Sequence, residues 1–164
     1  MELKKYKNEN AEIITGWIKD EKSLYQWSAD RINKFPITAQ DLNDFYQTMI
    51  DSNRFFPLTC FEQDIVVGHL IIRYPEKCNN VVRFGFVILA PYMRGSGNGK
   101  KMLQLAIDYA KNTLKATKIN LGVFANNDSA KYCYESIGFK PIGKIEKYQM
   151  PIGEWDCIEM ELEL

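Results

Sequence analysis

Arg94-Gly95-Ser96-Gly97-Asn98-Gly99 separates an apolar run, Phe84-Gly85-Phe86-Val87-Ile88-Leu89, from a helix-like run, Lys100-Lys101-Met102-Leu103-Gln104-Leu105-Ala106-Ile107. Strand, glycine-rich turn and helix, in that order, build an anion site. Glycines let the chain bend so that successive N–H groups converge, and they leave no Cβ in the path of a phosphate. The helix contributes roughly half a positive charge at its N-terminus. Arg94 and Lys100 can add whole charges.

Three phosphate-binding loops share this layout. A Walker A loop needs Gly-x4-Gly-Lys and then Ser or Thr, but Met102 follows two lysines and Arg94 stands at the first glycine position. A dinucleotide fingerprint needs a third glycine three residues after the second, whereas the glycines at 95, 97 and 99 are spaced in twos. The pattern Arg/Gln-x-x-Gly-x-Gly/Ala is matched in full by Arg94, Gly97 and Gly99. That pattern is the pyrophosphate loop of the GNAT acetyltransferase superfamily, which the chain resembles. For the loop alone, a solvated glycine-rich turn that binds nothing is the competing account.

A second stretch, Asn126-Asn127-Asp128-Ser129-Ala130-Lys131-Tyr132-Cys133-Tyr134-Glu135-Ser136-Ile137-Gly138-Phe139, resembles the other GNAT signature, Asn-x-x-Ala-x-x-x-Tyr-Glu-x-x-Gly-Phe. Physically it predicts a short capped helix. Asn127 or Asp128 can accept from the first free N–H groups. Ala130, Cys133, Tyr134 and Ile137 share one face, Gly138 supplies a left-handed C-terminal residue, and Pro141 forbids continuation. Taken singly, Tyr134 reads as a core tyrosine and Asn127 as a plain cap. Both signatures, in the family's order, make the resemblance strong.

Composition sets the frame. A chain of 164 residues, 46% hydrophobic and 26% charged, suits a single domain (1–164) with a substantial core. Lys+Arg and Asp+Glu are 21 each, so no global field recruits nucleic acid or a membrane surface. The N-terminus lacks an apolar signal core, and no apolar run has transmembrane length. Cys60, Cys78, Cys133 and Cys157 are scattered without a CxxC pair, so no metal site is expected and a reducing, cytoplasmic setting is.

The hydrophobic pattern predicts an α/β (α+β) order. Leu3 to Tyr6 reads as a short strand, Ala11 to Leu24 as a helical cluster, and Thr38-Ala39-Gln40-Asp41 as a capping box opening a helix through Leu42, Phe45, Tyr46, Met49 and Ile50. Pro57–Phe61 and Ile65–Tyr74 form a hairpin around Glu62-Gln63-Asp64, and Val81–Leu89 a further strand. A helix from about Asn98 to Leu114, a strand Ile119–Ala125, the short helix and a final pair, Lys144–Met150 with Trp155–Leu164, complete the chain. In the last strand Ile158, Met160, Leu162 and Leu164 alternate with Glu159, Glu161 and Glu163. This order is similar to the GNAT fold, a mixed, mostly antiparallel central sheet flanked by about four helices. Finishing its own sheet is the simpler expectation for the C-terminal strand; completing a partner's sheet is the alternative, which leaves a homodimer open.

The resemblance implies roles by position. Val87, Ile88 and Leu89 would offer backbone groups to the pantetheine arm of acetyl-CoA. Gly95, Ser96, Gly97, Asn98, Gly99 and Lys100 would surround its pyrophosphate, with Arg94 beside them. Asn127 would bond the cofactor arm, and Tyr134 would protonate the departing thiolate. The implied reaction is transfer of an acetyl group to a primary amine of a small molecule or a protein N-terminus by direct attack. A phenol at pKa about 10 facing a thiol near 8.5 makes the proton transfer about 2 kcal/mol uphill.

The base is not identified. Many GNAT members carry a glutamate where this chain has Gly122, and the fourth strand has Arg83, Phe84 and Gly85 in place of an acid. His69, the one histidine, shares a strand face with Ile65, Val67 and Ile71 and reads as a packed or surface residue. Glu62, Glu146, Glu154 and Asp156 sit near turns and strand ends. Aromatic residues of the N-terminal third, Trp17, Tyr25, Trp27, Phe35, Phe45, Tyr46, Phe55 and Phe56, either wall an acceptor site or form core. The lack of an acidic cluster weakens the case for a polycationic acceptor. With the usual carboxylates missing, a non-catalytic acyl-CoA-binding sensor on the same fold is the alternative.

Overall fold

The computed structural model describes residues 1–50, 53–75 and 79–164; Cys78 lies outside them. In chain order the elements are β1 (Glu2–Lys5), α1 (Ala11–Thr15), α2 (Glu21–Ser28), α3 (Ala39–Ile50), β2 (Phe55–Glu62), β3 (Ile65–Arg73), β4 (Val81–Leu89), α4 (Asn98–Asn112), β5 (Lys118–Phe124), α5 (Asp128–Glu135), β6 (Lys140–Met150) and β7 (Gly153–Glu163). The strands make one sheet in the order β1-β2-β3-β4-β5-β7-β6. Every neighbouring pair is antiparallel except β4 and β5. The mixed, mostly antiparallel sheet is as the resemblance implies, with five α-helices where about four were expected.

Local chemistry sets the boundaries. The helical cluster expected over Ala11–Leu24 is two helices, because the chain breaks at Gly16 and restarts at Asp20, whose carboxylate accepts from Ser23 N–H at 2.7 Å. The Thr38–Asp41 capping box forms: Asp41 N–H donates to Thr38 Oγ1, and Thr38 N–H donates to Asp41 Oδ2. In the β2–β3 hairpin, Gln63 and Asp64 adopt φ of +48° and +64°, the paired left-handed conformation whose twist matches a two-residue turn.

The sheet carries a core on each face. On one, Met102, Leu103, Ala106, Ile107 and Ala110 of α4 pack with Tyr134 and Phe139 over Leu70, Ile72, Val82, Phe84, Ile119 and Leu121. Those α4 positions repeat at three and four residues, so they form a single stripe. On the other, Ile14, Leu24, Tyr25, Trp27, Leu42 and Tyr46 of α1–α3 cover Phe55, Val66, Ile71, Phe86 and Phe124.

Two irregularities correct the simple alternation. A bulge shifts the β2–β3 register between Cys60 and Phe61. Val67 therefore joins the α4-side core, while His69 turns to the other face against Tyr6, Trp27 and Tyr46. In addition, β7 lies between β5 and β6, so β6 is the edge strand and β7 has no free side to offer a partner's sheet.

His69 is fully buried, and its Nε2 lies 2.6 Å from the Tyr46 hydroxyl. Burial pulls its pKa down to about 3, below the unfolded value near 6.5. Between those values the unfolded chain binds a proton that the native protein excludes, so this contribution to stability is lost as pH falls from about 6.5 towards 3. Denaturant titrations at pH 7 and pH 5 are expected to show His69 contributing up to about 1.4 kcal/mol per pH unit below 6.5. That share of the slope should vanish in His69→Gln; an unchanged slope would show that the imidazole titrates freely.

Candidate active site

β4 and β5 pair only where Val81–Arg83 face Lys118–Asn120. Beyond Arg83 the two parallel strands are unpaired, and the space between them opens on both sides of the sheet's centre line. Phe86 helps open it. The β3–β4 register gains a residue there, Phe86 takes φ +51°, and its carbonyl accepts from Trp27 Nε1–H at 2.7 Å. A non-glycine residue in that conformation stores roughly 1–2 kcal/mol, held here by the indole and the ring stack on Phe45. The result is that Val87, Ile88 and Leu89 follow a bulge, half-exposed, with β3 on one side only.

The glycine loop follows at the end of β4. A 3-10 turn, Pro91–Met93, leads to Gly95 with φ +81° and Gly97 with φ +76°. Gly97 is the left-handed N-cap of α4. A Cβ on either glycine would meet nothing within 4 Å, so it is the backbone angle that demands glycine. None of the main-chain N–H groups from Gly95 to Lys100 donates to a described residue. Asn98 ties the loop down by donating from Nδ2 to Met93 O. Arg94 folds back, its Nε donating to Leu89 O at 3.0 Å, and Lys100 Nζ lies 5.6 Å from the Tyr132 ring centre. A row of unbonded amides at a helix start is what a diphosphate requires.

Asn127 caps α5 as expected, its Oδ1 accepting from Ala130 N–H and Ser129 Oγ–H. Its amide nitrogen bonds to no described residue. Tyr134 is buried on the same helix, with its ring 5.9 Å from that of Phe139. Burial, and then the neighbouring Cys133, raise its hydroxyl pKa well above the ordinary phenol value. The phenol is thus a weaker acid than the unperturbed figure implies, and it stays fully protonated at neutral pH.

Two hollows meet at this tyrosine. A groove of about 740 Å³ runs past Ile88, Leu89, Arg94, Gly95, Gly97, Gly99 and Lys100. A cavity of about 130 Å³ on the α1–α3 side is lined by Phe45, Phe55, Ile71, Phe86, Arg31, Arg73 and Arg83. Val87, Asn127, Ala130 and Tyr134 border both, together with Gln26 and Trp27. Of the N-terminal aromatics, Trp27, Phe45 and Phe55 wall the cavity and Trp17 the groove, while Tyr25 and Tyr46 are core.

The carboxylate missing from β5 has a neighbour in space. Glu159 of β7 is the cross-strand partner of Gly122. Arg83 holds it at both oxygens, Nη1 to Oε2 at 2.6 Å and Nη2 to Oε1 at 2.7 Å, and also donates to Asn120 Oδ1. A Cβ at residue 122 would stand 2.7 Å from Cys157 Sγ, 2.8 Å from Arg83 Nη2 and 3.0 Å from Glu159 Oε1. Gly122 is therefore filled space, not a gap. The alternation along β7 suggested that Glu159 faces solvent; it is buried, because that face of β7 looks onto Arg83. Only the sheet order could reveal this, since Arg83 and Glu159 are 76 residues apart.

A family model shows the family, and the solved structures share the fold. A model described as "Acetyltransferase (GNAT) family" matches residues 21–139. The curated L-amino acid N-acetyltransferase AaaT of Escherichia coli (strain K12) is 29% identical over 100 residues, a match spanning 60% of this chain and 60% of that protein. Among solved structures, the spermidine N-acetyltransferase of Vibrio cholerae in complex with CoA and spermine superposes with a TM-score of 0.79 at 20% identity, over 98% of this chain and 94% of that one. A dodecameric structure of spermidine N-acetyltransferase from Vibrio cholerae gives 0.76 at 20% identity, covering 98% and 92%.

Proposed function

This chain belongs to the acetyltransferase (GNAT) family, and we propose that it acts as one domain, 1–164, transferring an acetyl group from acetyl-CoA to a primary amine by direct attack. The observation that carries this reading is the row of unbonded N–H groups from Gly95 to Lys100, set beside a groove that ends at Tyr134. Acetyl-CoA brings the activated thioester; the chain holds it and handles the proton. The amides from Gly95 to Lys100, the α4 N-terminus and the free nitrogens of Arg94 would take the diphosphate. Charge-assisted bonds of about 1.5–3 kcal/mol each are enough for micromolar affinity after entropic costs.

Val87, Ile88 and Leu89 would bind the pantetheine arm through the main chain, as an added strand does. Strand amides near Leu89 would stabilise the oxyanion. Asn127 would donate from its free amide nitrogen. Tyr134, protonated by virtue of its burial, would give its proton to the leaving thiolate. No carboxylate among the described residues lines the acceptor cavity. The arginines there favour the neutral, attacking form of an incoming amine, because nearby positive charge and desolvation both lower an amine's pKa.

Three finer points belong to the same reading. A reducing, cytoplasmic setting suits the free thiols Cys60, Cys133 and Cys157; among the described residues, no helix is long and apolar enough to cross a membrane. Self-association would use the β6 edge, where Ile142 and Ile145 are exposed. No nucleic-acid or membrane partner is invoked.

Thiol release from acetyl-CoA, followed across a panel of amines, peptides and amino acids, tests the activity. Acceptor-dependent release is expected. Tight acetyl-CoA binding without release for any acceptor would favour the sensor alternative, and no binding at all in folded protein would remove both.

A further inference from the structure

The acceptor cavity carries a charge that a simple amine pocket does not need. Arg73, the last residue of β3, stands directly opposite Arg83 on β4, and both side chains line the cavity with Arg31. Like charges facing each other across strands are destabilising, and burying a charge without a partner costs more. Arg83 is neutralised by Glu159. Arg31 approaches the half-exposed carboxylate of its neighbour Asp30 at 3.5 Å. Arg73 has no ion-pair or hydrogen-bond partner among the described residues. Burial, and then the charges of Arg83 and Arg31, pull its pKa below the usual arginine range.

We infer that Arg73 is the anchor for a carboxylate on the acceptor, so that the substrate class is a small amine carrying an acid group, an α-amino acid, and not a polyamine. This rests on the acetyl-transfer reading above and narrows it. A guanidinium presents a planar fork that matches a carboxylate bidentately and would take up the one charge the cavity leaves unmatched. Phe45, Met49 and Ile71, which line the same cavity, offer an apolar surface for the acceptor's side chain. A hollow of about 130 Å³ is of the order that accepts a molecule the size of benzene. A polyamine would bring more positive charge to a cavity lined by Arg31, Arg73 and Arg83 with no acid among the described lining residues.

The test measures acetyl-CoA-dependent thiol release with a panel of L-amino acids, each beside its own amide, and with spermidine. For the preferred side chain, kcat/KM for the free acid should exceed that for the amide by about 10- to 100-fold, the effect of one charge-assisted contact. Arg73→Gln should raise KM for the amino acid by a similar factor, with kcat changed far less and the amide unaffected. Arg73→Lys should recover part of the loss, and calorimetry with acetyl-CoA should find its affinity unchanged in both variants. Amides or spermidine used as well as amino acids would overturn the carboxylate anchor while acetyl transfer stood. Equal losses for acid and amide in Arg73→Gln would likewise reduce Arg73 to a structural role. No release with any acceptor would remove the acetyl-transfer reading and this inference together.

Discussion

Tyr134→Phe is expected to lower kcat by about 10²–10³-fold while leaving acetyl-CoA affinity within a few-fold of the parent. The substitution removes one oxygen and keeps the ring, so the contact with Phe139 and the packing of α5 persist. The lost function is the proton for the thiolate, and general acids of this kind contribute about 10²–10⁴ in rate. The hydroxyl bonds to no described residue, so its removal orphans no buried partner and the cost in stability is small. Burial raises its pKa, so the acid limb of any pH profile should not report this tyrosine; it is protonated throughout the neutral range. Steady-state rates and calorimetry on the two proteins decide the matter. Equal kcat values would take Tyr134 out of the mechanism.

Gly97→Val is expected to weaken acetyl-CoA binding by about 10²-fold or more. Residue 97 sits at φ +76° as the N-cap of α4. A β-branched side chain there costs at least about 1–2 kcal/mol. The loop can escape that cost only by rotating the peptide planes around residue 97, whose N–H groups bond to no described residue. The first carbon of the new side chain meets nothing, since a Cβ there has no neighbour within 4 Å. The melting temperature should therefore fall only by about 3–8 °C. Several charge-assisted bonds are lost together, so binding suffers far more than folding. Gly99→Ala is the control: its Cβ would sit 3.4 Å from Cys133 Sγ, an ordinary contact, at an unstrained helical position. If Gly97→Val bound acetyl-CoA as tightly as the parent, the loop would not be the diphosphate site.

Elements whose causes lie within a few residues were legible in advance. The Thr38–Asp41 box, the Gln63-Asp64 turn, Val81–Leu89 and the Asn127 cap form where the residue pattern puts them. Two failures have one origin. His69 is packed and keeps a face with Ile71, but its grouping with Val67 fails because a bulge in the β2–β3 ladder shifts the period by one, which no count along a single strand can detect. The burial of Glu159 was out of sight because alternation describes one strand, whereas that burial depends on Arg83 arriving across the sheet. The break after Thr15 was readable in principle, since Gly16 and the Asp20 cap both mark it.

Taken alone, the order of residues determined the glycine turn that opens α4 and the capped helix bearing Tyr134. Main-chain recognition depends on φ angles and on N–H groups contiguous along the chain, both local properties of glycines and caps. What lines the cavity beside Tyr134, and what pairs with its charges, was decided only by tertiary structure. Arg31, Arg73, Arg83 and Glu159 come from a segment after α2 and from three different strands. Strand register and helix packing set which of their charges cancel and which is left over.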